Sequence, residues 1–364
     1  MRGPGFLSPV FLRENFPFAL NHFRHAGKLR GVKIFAVLLP LLCAFYAQAV
    51  VLNGHDYRPL ADWAAENHFR EMNDGRGERL TLTNRMEQRL VFEKNSVTAE
   101  INGVKVALSF PVALDKQGIF YVARFDLAKT IEPLIFSPAP ARRKISTICI
   151  DPGHGGKDPG KQVGGHDEKY YTLLLAGELR RQLLAAGFKV VLTRERDQFV
   201  DLSRRPEIAN RRGADLFVSL HFNATDIGRN EVAGPQTYCI TPVGASSTDA
   251  EGRGAGHAPT IANRAETKSL LLAYQVHRAL VKSLGVPDRS VRRARFEVLR
   301  GALMPAILIE GGYMTNPSEA RKIYNDAYRH QMAAAIVRGI LNYQKDTAAV
   351  AATNSLRKAS AAKK

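Results

Sequence analysis

The chain has 364 residues, 45% hydrophobic and 24% charged, which is room for two globular domains and excludes a low-complexity or wholly disordered protein. Its formal charge of +18 suits a polyanionic partner such as nucleic acid, anionic lipid or an acidic wall polymer. The basic residues are spread along the chain, with no basic run interleaved with aromatics, and this argues against direct nucleic-acid binding.

In chain order, the first feature is residues 34–49, I-F-A-V-L-L-P-L-L-C-A-F-Y-A-Q-A, led by Lys28, Arg30 and Lys33. A basic lead-in, a short apolar stretch and Ala47-Gln48-Ala49 predict a secretory signal over 1–49 with cleavage before Val50. The stretch is short and Pro-interrupted for a membrane span. The 33 residues before it are many for a lead-in, so an uncleaved anchor or a downstream start stays open. Cys43 lacks the small residue that precedes a lipidated cysteine. Cys149 and Cys239 lie in apolar runs, which predicts two buried thiols and no disulfide.

Residues 50–137 alternate short apolar runs with turn signals and read as a small α+β domain. Period-two alternation over 97–108 surrounds Asn102-Gly103, a strong hairpin signal. A strand at 119–122 and a short helix at 127–134 follow. The hairpin and the Y-V-A-R-F-D-L-A-K-T-I-E-P-L-I stretch resemble the stalk domain found beside copper amine oxidases and many wall enzymes. Such a domain implies a peripheral association with wall or membrane. Residues 138–145, P-A-P-A-R-R-K-I, read as a linker.

Beyond it, strand-like runs at 145–150, 188–193, 215–221, 235–241, 296–299 and 305–310 alternate with helical ones at 169–186, 203–212, 262–284 and 317–342. That alternation predicts an α/β domain over 146–344, with a twisted, mostly parallel six-stranded sheet flanked by helices. Residues 244–267 read as a Gly/Ala/Ser-rich mobile loop, and 345–364 as a disordered basic tail.

In an open α/β sheet, ligands bind beyond the carboxyl ends of the strands. His154 stands there in D-P-G-H-G-G after the first strand, His221 ends D-L-F-V-S-L-H, Glu310 ends P-A-I-L-I-E, and Glu168 opens the first long helix. Each has an ordinary use alone: a turn histidine, a core histidine, a first-turn carboxylate favoured by the helix dipole, an ion-pair partner. Together they present His, Glu, His and Glu on one rim. Two imidazoles and a carboxylate suit catalytic zinc, with the second Glu as general base. Gly153, Gly155 and Gly156 would allow unusual backbone angles and close approach. His166 is too near Glu168 in sequence, His257 lies in the insertion and His277 rides a helix, so none of the three joins the set.

The series D-P-G-H-G-G, the Glu168-Lys169 helix start, T-R-x-x-D (Thr193, Arg194, Asp197), A-D-L-F-V-S-L-H-F-N-A, V-L-R and P-A-I-L-I-E-G-G-Y-M-T-N resembles the ordered signatures of zinc-dependent N-acetylmuramoyl-L-alanine amidases, amidase type 3. The resemblance covers about residues 146–343. It implies a periplasmic or cell-envelope hydrolase that cuts the amide between the muramic acid lactyl group and L-alanine of peptidoglycan. It further implies one zinc ion per catalytic domain held by His154, Glu168 and His221, with Glu310 as the catalytic carboxylate. Asn223, Arg205 and Arg300 also match family positions, and for the two arginines substrate contact and bracing are equally open. Where relatives carry Leu-Gly-Phe after the catalytic Glu, this chain has Gly311-Gly312-Tyr313, which keeps the turn and the aromatic. The insertion lies where some relatives carry a helix that blocks the zinc until a partner removes it, so a protein activator is a further expectation. Two other readings stay open: a zinc hydrolase for another amide, and a non-catalytic wall-binding or activating protein.

Overall fold

The computed structural model describes residues 50–74, 77–136, 144–248 and 258–361, with side chains up to 348. The predicted secretory signal over 1–49, most of the predicted linker and residues 249–257 of the insertion lie outside the described residues.

The N-terminal part begins with β1 (Val50–Leu52), β2 (His55–Pro59) and α1 (Leu60–Glu66), which buries Leu60, Trp63 and Ala64. An antiparallel meander follows: β3 (Arg70–Asn73), β4 (Arg79–Thr83), β5 (Arg89–Glu93), β6 (Thr98–Ile101) and β7 (Val104–Ala107). Asn102 and Gly103 join the last two strands with φ of 48° and 79°. Both being positive gives the two-residue turn that matches strand twist. β8 (Ala113–Leu114) and β9 (Phe120–Ala123) complete a four-stranded sheet with β1 and β2. The chain then winds through α2 (Arg124–Asp126), a π-helical turn (Leu127–Ile131) and α3 (Glu132–Ile135).

Past the linker come β10 (Thr147–Pro152), the small hairpin β11 (Gln162–Val163) and β12 (His166–Asp167), α4 (Glu168–Ala185), β13 (Lys189–Leu192), α5 (Arg204–Arg211) and β14 (Leu216–Asn223). β15 (Gln236–Ile240), α6 (Glu266–Leu284), β16 (Val291–Ala294), α7 (Glu297–Arg300), β17 (Ala306–Tyr313), α8 (Pro317–Ile323) and α9 (Asp326–Ala361) finish the chain. The six strands of this part run β13-β10-β14-β17-β15-β16, parallel except where β15 meets β17. Their residues alternate between two apolar faces. Ile148, Ile150, Val218, Leu220, Ile307 and Ile309 pack under α4, α6 and α9. Cys149, Phe217, Tyr238 and Leu308 pack under α5 and α7. Cys149 and Cys239 are buried free thiols, as their apolar runs predicted.

Four features differ from the sequence reading. The sixth strand is 291–294, and 296–299 fall instead on the short helix α7. The V-R-R-A run is polar in sequence, yet burial of Arg293 against the N-terminal part makes it a strand. β16 also pairs with β7, so the meander and the α/β part share one 11-stranded sheet. The insertion shortens: a 3-10 turn (Ile261–Ala265), boxed by Thr260 and Asn263, leads into α6 at Glu266. Finally, the backbone is helical to Ala361 where composition predicted a disordered tail from 345. The tail is rich in Ala and Lys, which are strong helix formers, and it continues a helix already anchored by packing.

Candidate active site

β10 continues its pairing with β14 through Gly153, whose N–H donates to the Leu220 carbonyl at 2.9 Å, and the chain then turns sharply. His154 sits in the left-handed region at φ 60°, a conformation rare for a non-glycine residue and worth holding only where the surroundings fix it. The surroundings do fix it. Arg194, buried, donates to the carbonyls of Pro152, Gly153 and Lys169 at 2.8–3.0 Å. Arg205, only 1% exposed, donates to the Pro152 and His154 carbonyls and pairs with the buried Asp151 at 2.9 Å. Thr193 and Ser219 donate to the same Asp151 carboxylate. Asp197 accepts from the Gly156 N–H at 2.6 Å and from Lys169 Nζ at 2.9 Å. The T-R-x-x-D motif therefore holds the loop that carries His154.

Three side chains converge beyond this loop. His154 Nε2 lies 3.1 Å from Glu168 Oε2, and His221 Nδ1 lies 3.1 Å from Glu168 Oε1 and 3.2 Å from His154 Nε2. One donor atom from each falls within 4.8 Å of the other two, the one such His/Cys/Asp/Glu group among the described residues. The imidazoles meet edge-on at 80°. Glu168 is 4% exposed, and its oxygens accept from the Phe222 and Lys161 N–H groups at 3.0 Å each, so the carboxylate cannot swing. Asp158 engages His154 Nδ1 at 2.8 Å, which reserves Nε2 for the cluster. Glycines make the close approach possible. A Cβ on Gly153 would stand 2.3–2.6 Å from the His221 ring, and one on Gly160 would stand 2.6 Å from His154 Cδ2 and 2.7 Å from Glu168 Oε2.

The electrostatics fit a cation. Burial works against charge on His154, but the Glu168 and Asp158 carboxylates outweigh it and push its pKa up to about 9. Burial likewise opposes ionisation of Glu168, yet hydrogen bonds from His154 and His221 hold it well below the ordinary carboxylate range. A buried carboxylate with two imidazoles gathered on it is a donor set that could hold a divalent metal ion such as zinc.

Glu310, on β17, is in register beside His221 of β14 on one side and Gln236 of β15 on the other. Gln236 is nearly buried, and its Oε1 accepts from Asn223 Nδ2 at 2.6 Å and the Tyr313 hydroxyl at 3.1 Å. Of the further predicted residues, Asn223 is thus tied to the strand next to Glu310. The contacts of Arg205 are those of a brace. Arg300 is exposed at the end of α7 and pairs with Glu297, one turn away. His166 is engaged elsewhere, stacked on Tyr324 with its Nδ1 on Tyr171, and His277 is buried between Thr237 and Asp288. The sequence reading missed Asp158, Gly160 and Gln236. Asp158 and Gly160 carried a faint signal, lying within six residues of His154 in the same Gly-rich loop. Gln236 carried none, since only strand pairing places it.

The sequence model of the family described as N-acetylmuramoyl-L-alanine amidase matches residues 148–342, more than half of the chain. The chain is 32% identical over 240 residues to the N-acetylmuramoyl-L-alanine amidase AmiC of Neisseria meningitidis, covering 60% of this chain and 57% of AmiC. It is 33% identical over 220 residues to AmiA of Escherichia coli, covering 54% and 75%. Against LytC of Bacillus subtilis it is 34% identical, over 36% of LytC's length. The solved N-acetylmuramoyl-L-alanine amidase from Clostridium difficile 630 aligns at 35% identity and a TM-score of 0.47, over 56% of this chain and 98% of that one. The matches reach just over half of AmiC and about a third of LytC, and the family model spans the part that carries His154, Glu168, His221 and Glu310. This chain belongs to the N-acetylmuramoyl-L-alanine amidase family.

Proposed function

We propose that the protein hydrolyses the amide between the lactyl group of N-acetylmuramic acid and the L-alanine of the peptidoglycan stem, with one zinc ion per catalytic domain. The observation that carries this reading is the convergence of His154, Glu168 and His221, with Glu310 in register beside His221, in a member of the amidase family. His154 would hold the ion through Nε2, His221 through Nδ1 and Glu168 through its buried carboxylate. Bound zinc supplies a lowered pKa for water and polarisation of the scissile carbonyl. Glu310 accepts the proton of the attacking water and returns it to the departing alanine nitrogen. Asp158 keeps His154 in the tautomer that presents Nε2, and the Arg194 and Arg205 contacts keep the loop from moving as charge develops.

Peptidoglycan lies outside the cytoplasm, so the same reading places the protein in the cell envelope, exported by residues 1–49. No helix among the described residues is long and apolar enough to cross a membrane. The strongly positive charge supports association with an acidic wall. The test is mass spectrometry of what the protein releases from purified peptidoglycan, with and without a chelator. Stem peptides with a free L-alanine amino terminus, abolished by chelation and restored by zinc, are expected. Release of sugars or cross-bridge fragments would overturn the assignment.

A further inference from the structure

We infer that the trough between α6 and α9 binds the hydroxylated phosphodiester headgroup of an anionic lipid, and so seats the protein on a membrane surface. The inference goes beyond the amidase reading and uses none of the residues of that site. α6 and α9 run antiparallel, since Arg338 Nη1 donates to Ser283 Oγ at 3.0 Å and Gln275 Nε2 donates to Asp346 Oδ2 at 2.5 Å. A Cβ on Gly339 would stand 2.4 Å from Val276 Cα, so the two backbones nearly touch and the long side chains around the crossing spread outward. Between them lies a cavity of about 380 Å³, lined by Gln275, Arg278, Lys282, Arg338, Lys345 and Asp346.

Charge indicates what fits there. Arg278, Lys282, Arg338 and Lys345 are exposed cations, and Asp346 is the one acid among the described residues that line the cavity. Four against one leaves an excess of three positive charges around a single cavity. Arg278 and Lys282 stand at i and i+4 on one helix, a like-charge spacing that weakens a helix. Arg338 has a neutral partner in Ser283, so that contact orients the guanidinium without cancelling its charge. Folding gives no reason for this arrangement, whereas an anion held between the two helices does. The buried part of the lining adds a second requirement. Gln275 is 6% exposed, and with its Nε2 on Asp346 its buried Oε1 accepts no hydrogen bond among the described residues. An unpaired buried acceptor is costly, and a bare phosphodiester, which only accepts, does not pair it. A glycerol headgroup meets both requirements: its phosphate oxygens accept from the cations and its hydroxyl donates to Gln275. The reach of the charge favours a lipid surface over a single free phosphate. Residues 338–364 carry six Lys/Arg against Asp346, and the α9 backbone continues past the cavity to Ala361. Arg357 follows Lys345 along that helix by roughly 18 Å of rise, more than one phosphate covers.

The experiment is co-sedimentation of the full chain with three kinds of vesicle. They are phosphatidylcholine alone, its equimolar mixture with phosphatidylglycerol, and its equimolar mixture with phosphatidylmethanol, which keeps the charge and lacks the hydroxyls. Phosphatidylcholine alone sets the baseline for any contribution of the apolar segment 34–49. Phosphatidylglycerol is expected to raise binding by about 10-fold or more over that baseline, and phosphatidylmethanol by less. Arg278→Gln and Arg338→Gln should each weaken binding to phosphatidylglycerol vesicles by about 5-fold. Arg212→Gln, the same charge change at the exposed end of α5, should leave it nearly unchanged at physiological ionic strength. Gln275→Met should make the two anionic vesicles equivalent, and thermal unfolding of each variant separates a lost contact from a lost fold. Binding at the phosphatidylcholine baseline, or an equal loss in Arg212→Gln, overturns the inference. Equal binding of the unaltered protein to both anionic vesicles removes the hydroxyl contact to Gln275. Saturable binding of free sn-glycerol 3-phosphate without vesicle binding would assign the cavity to a soluble phosphate and overturn the lipid surface. None of these outcomes depends on the amidase reading.

Discussion

Two histidine–carboxylate constellations lie on this sheet, and they have opposite fates. At the rim, His154 and His221 converge on Glu168 beside open loop, with glycines cleared from their path. At the junction of the two parts, His277 is wholly buried on α6, its Nδ1 on Thr237 at 3.1 Å and its Nε2 on Asp288 at 2.9 Å. Asp288 in turn accepts from the Ser290 N–H and, across the junction, from the Lys105 N–H at 2.8 Å. The hydroxyl–histidine–carboxylate order of the second cluster looks catalytic in outline. Every polar atom in it already has a protein partner and none faces substrate. Residue types do not make a site; access separates the two, since the side chains of His154 and His221 are 23% and 13% exposed and that of His277 is 0% exposed.

The junction has a second buried acid. Asp126 accepts from the Ser109 and Phe110 N–H groups at 2.8 and 3.0 Å, and Arg293 reaches Thr130 and the Lys129 carbonyl beside it. With the Lys129–Glu266 ion pair and the Tyr274 hydroxyl on the Ile101 carbonyl, these contacts join the meander to the α/β part. Similar polar groups thus gather on a partly exposed candidate site at the rim and serve cohesion at the junction.

The sharpest way to break this contrast is at Glu310. Glu310→Ala should cut kcat by about 10³-fold while leaving zinc bound at one equivalent, read by turnover and metal analysis. Loss of the metal in that variant would show that Glu310 belongs with the ligands. His277→Ala should do the reverse. It strands the buried Asp288 and Thr237 and should cost about 3 kcal/mol in denaturant unfolding, with zinc content intact. A turnover defect at temperatures where the variant is folded would mean the junction takes part in catalysis. Next, Asp158→Ala should weaken zinc binding by about 10- to 100-fold through His154, measured by competition with a chelator. An unchanged affinity would leave Asp158 as a loop contact only.

The smallest effect concerns Asp126. Burial raises its pKa to about 6, more than the two N–H donors and Arg293 lower it. The folded protein therefore binds a proton between pH 7 and 5 that the unfolded chain does not take up until about pH 4. Stability from this group rises as pH falls through 6, by about 1 kcal/mol from pH 7 to 5. The difference in unfolding free energy between the native protein and Asp126→Asn, followed across that window, isolates it. A flat difference would place Asp126 as ionised throughout.

Much of the site was legible in the sequence because it depends on local events. An apolar run that ends in Asp-Pro-Gly-His, apolar runs that lead into His221 and Glu310 within their strands, and a helix that opens on Glu168 are each set by a few neighbouring residues. The rule that ligands gather at carboxyl ends of strands then brings them together. The Asn102-Gly103 hairpin was legible for the same reason, since Asn-Gly is among the few dipeptides that favour a turn with two positive φ values. What the sequence could not decide hangs on partners far along the chain. Arg205 is a brace because Asp151, 54 residues away, is buried beside it. Residues 291–294 form a strand because β15 and β7 offer edges on both sides, although the run itself is polar. The two parts join through one continuous sheet, which no local pattern encodes. Gln236 and Arg292 come to stand beyond Glu310 only through the registers of three strands, and hydrogen-bonded register is a property of the assembled sheet.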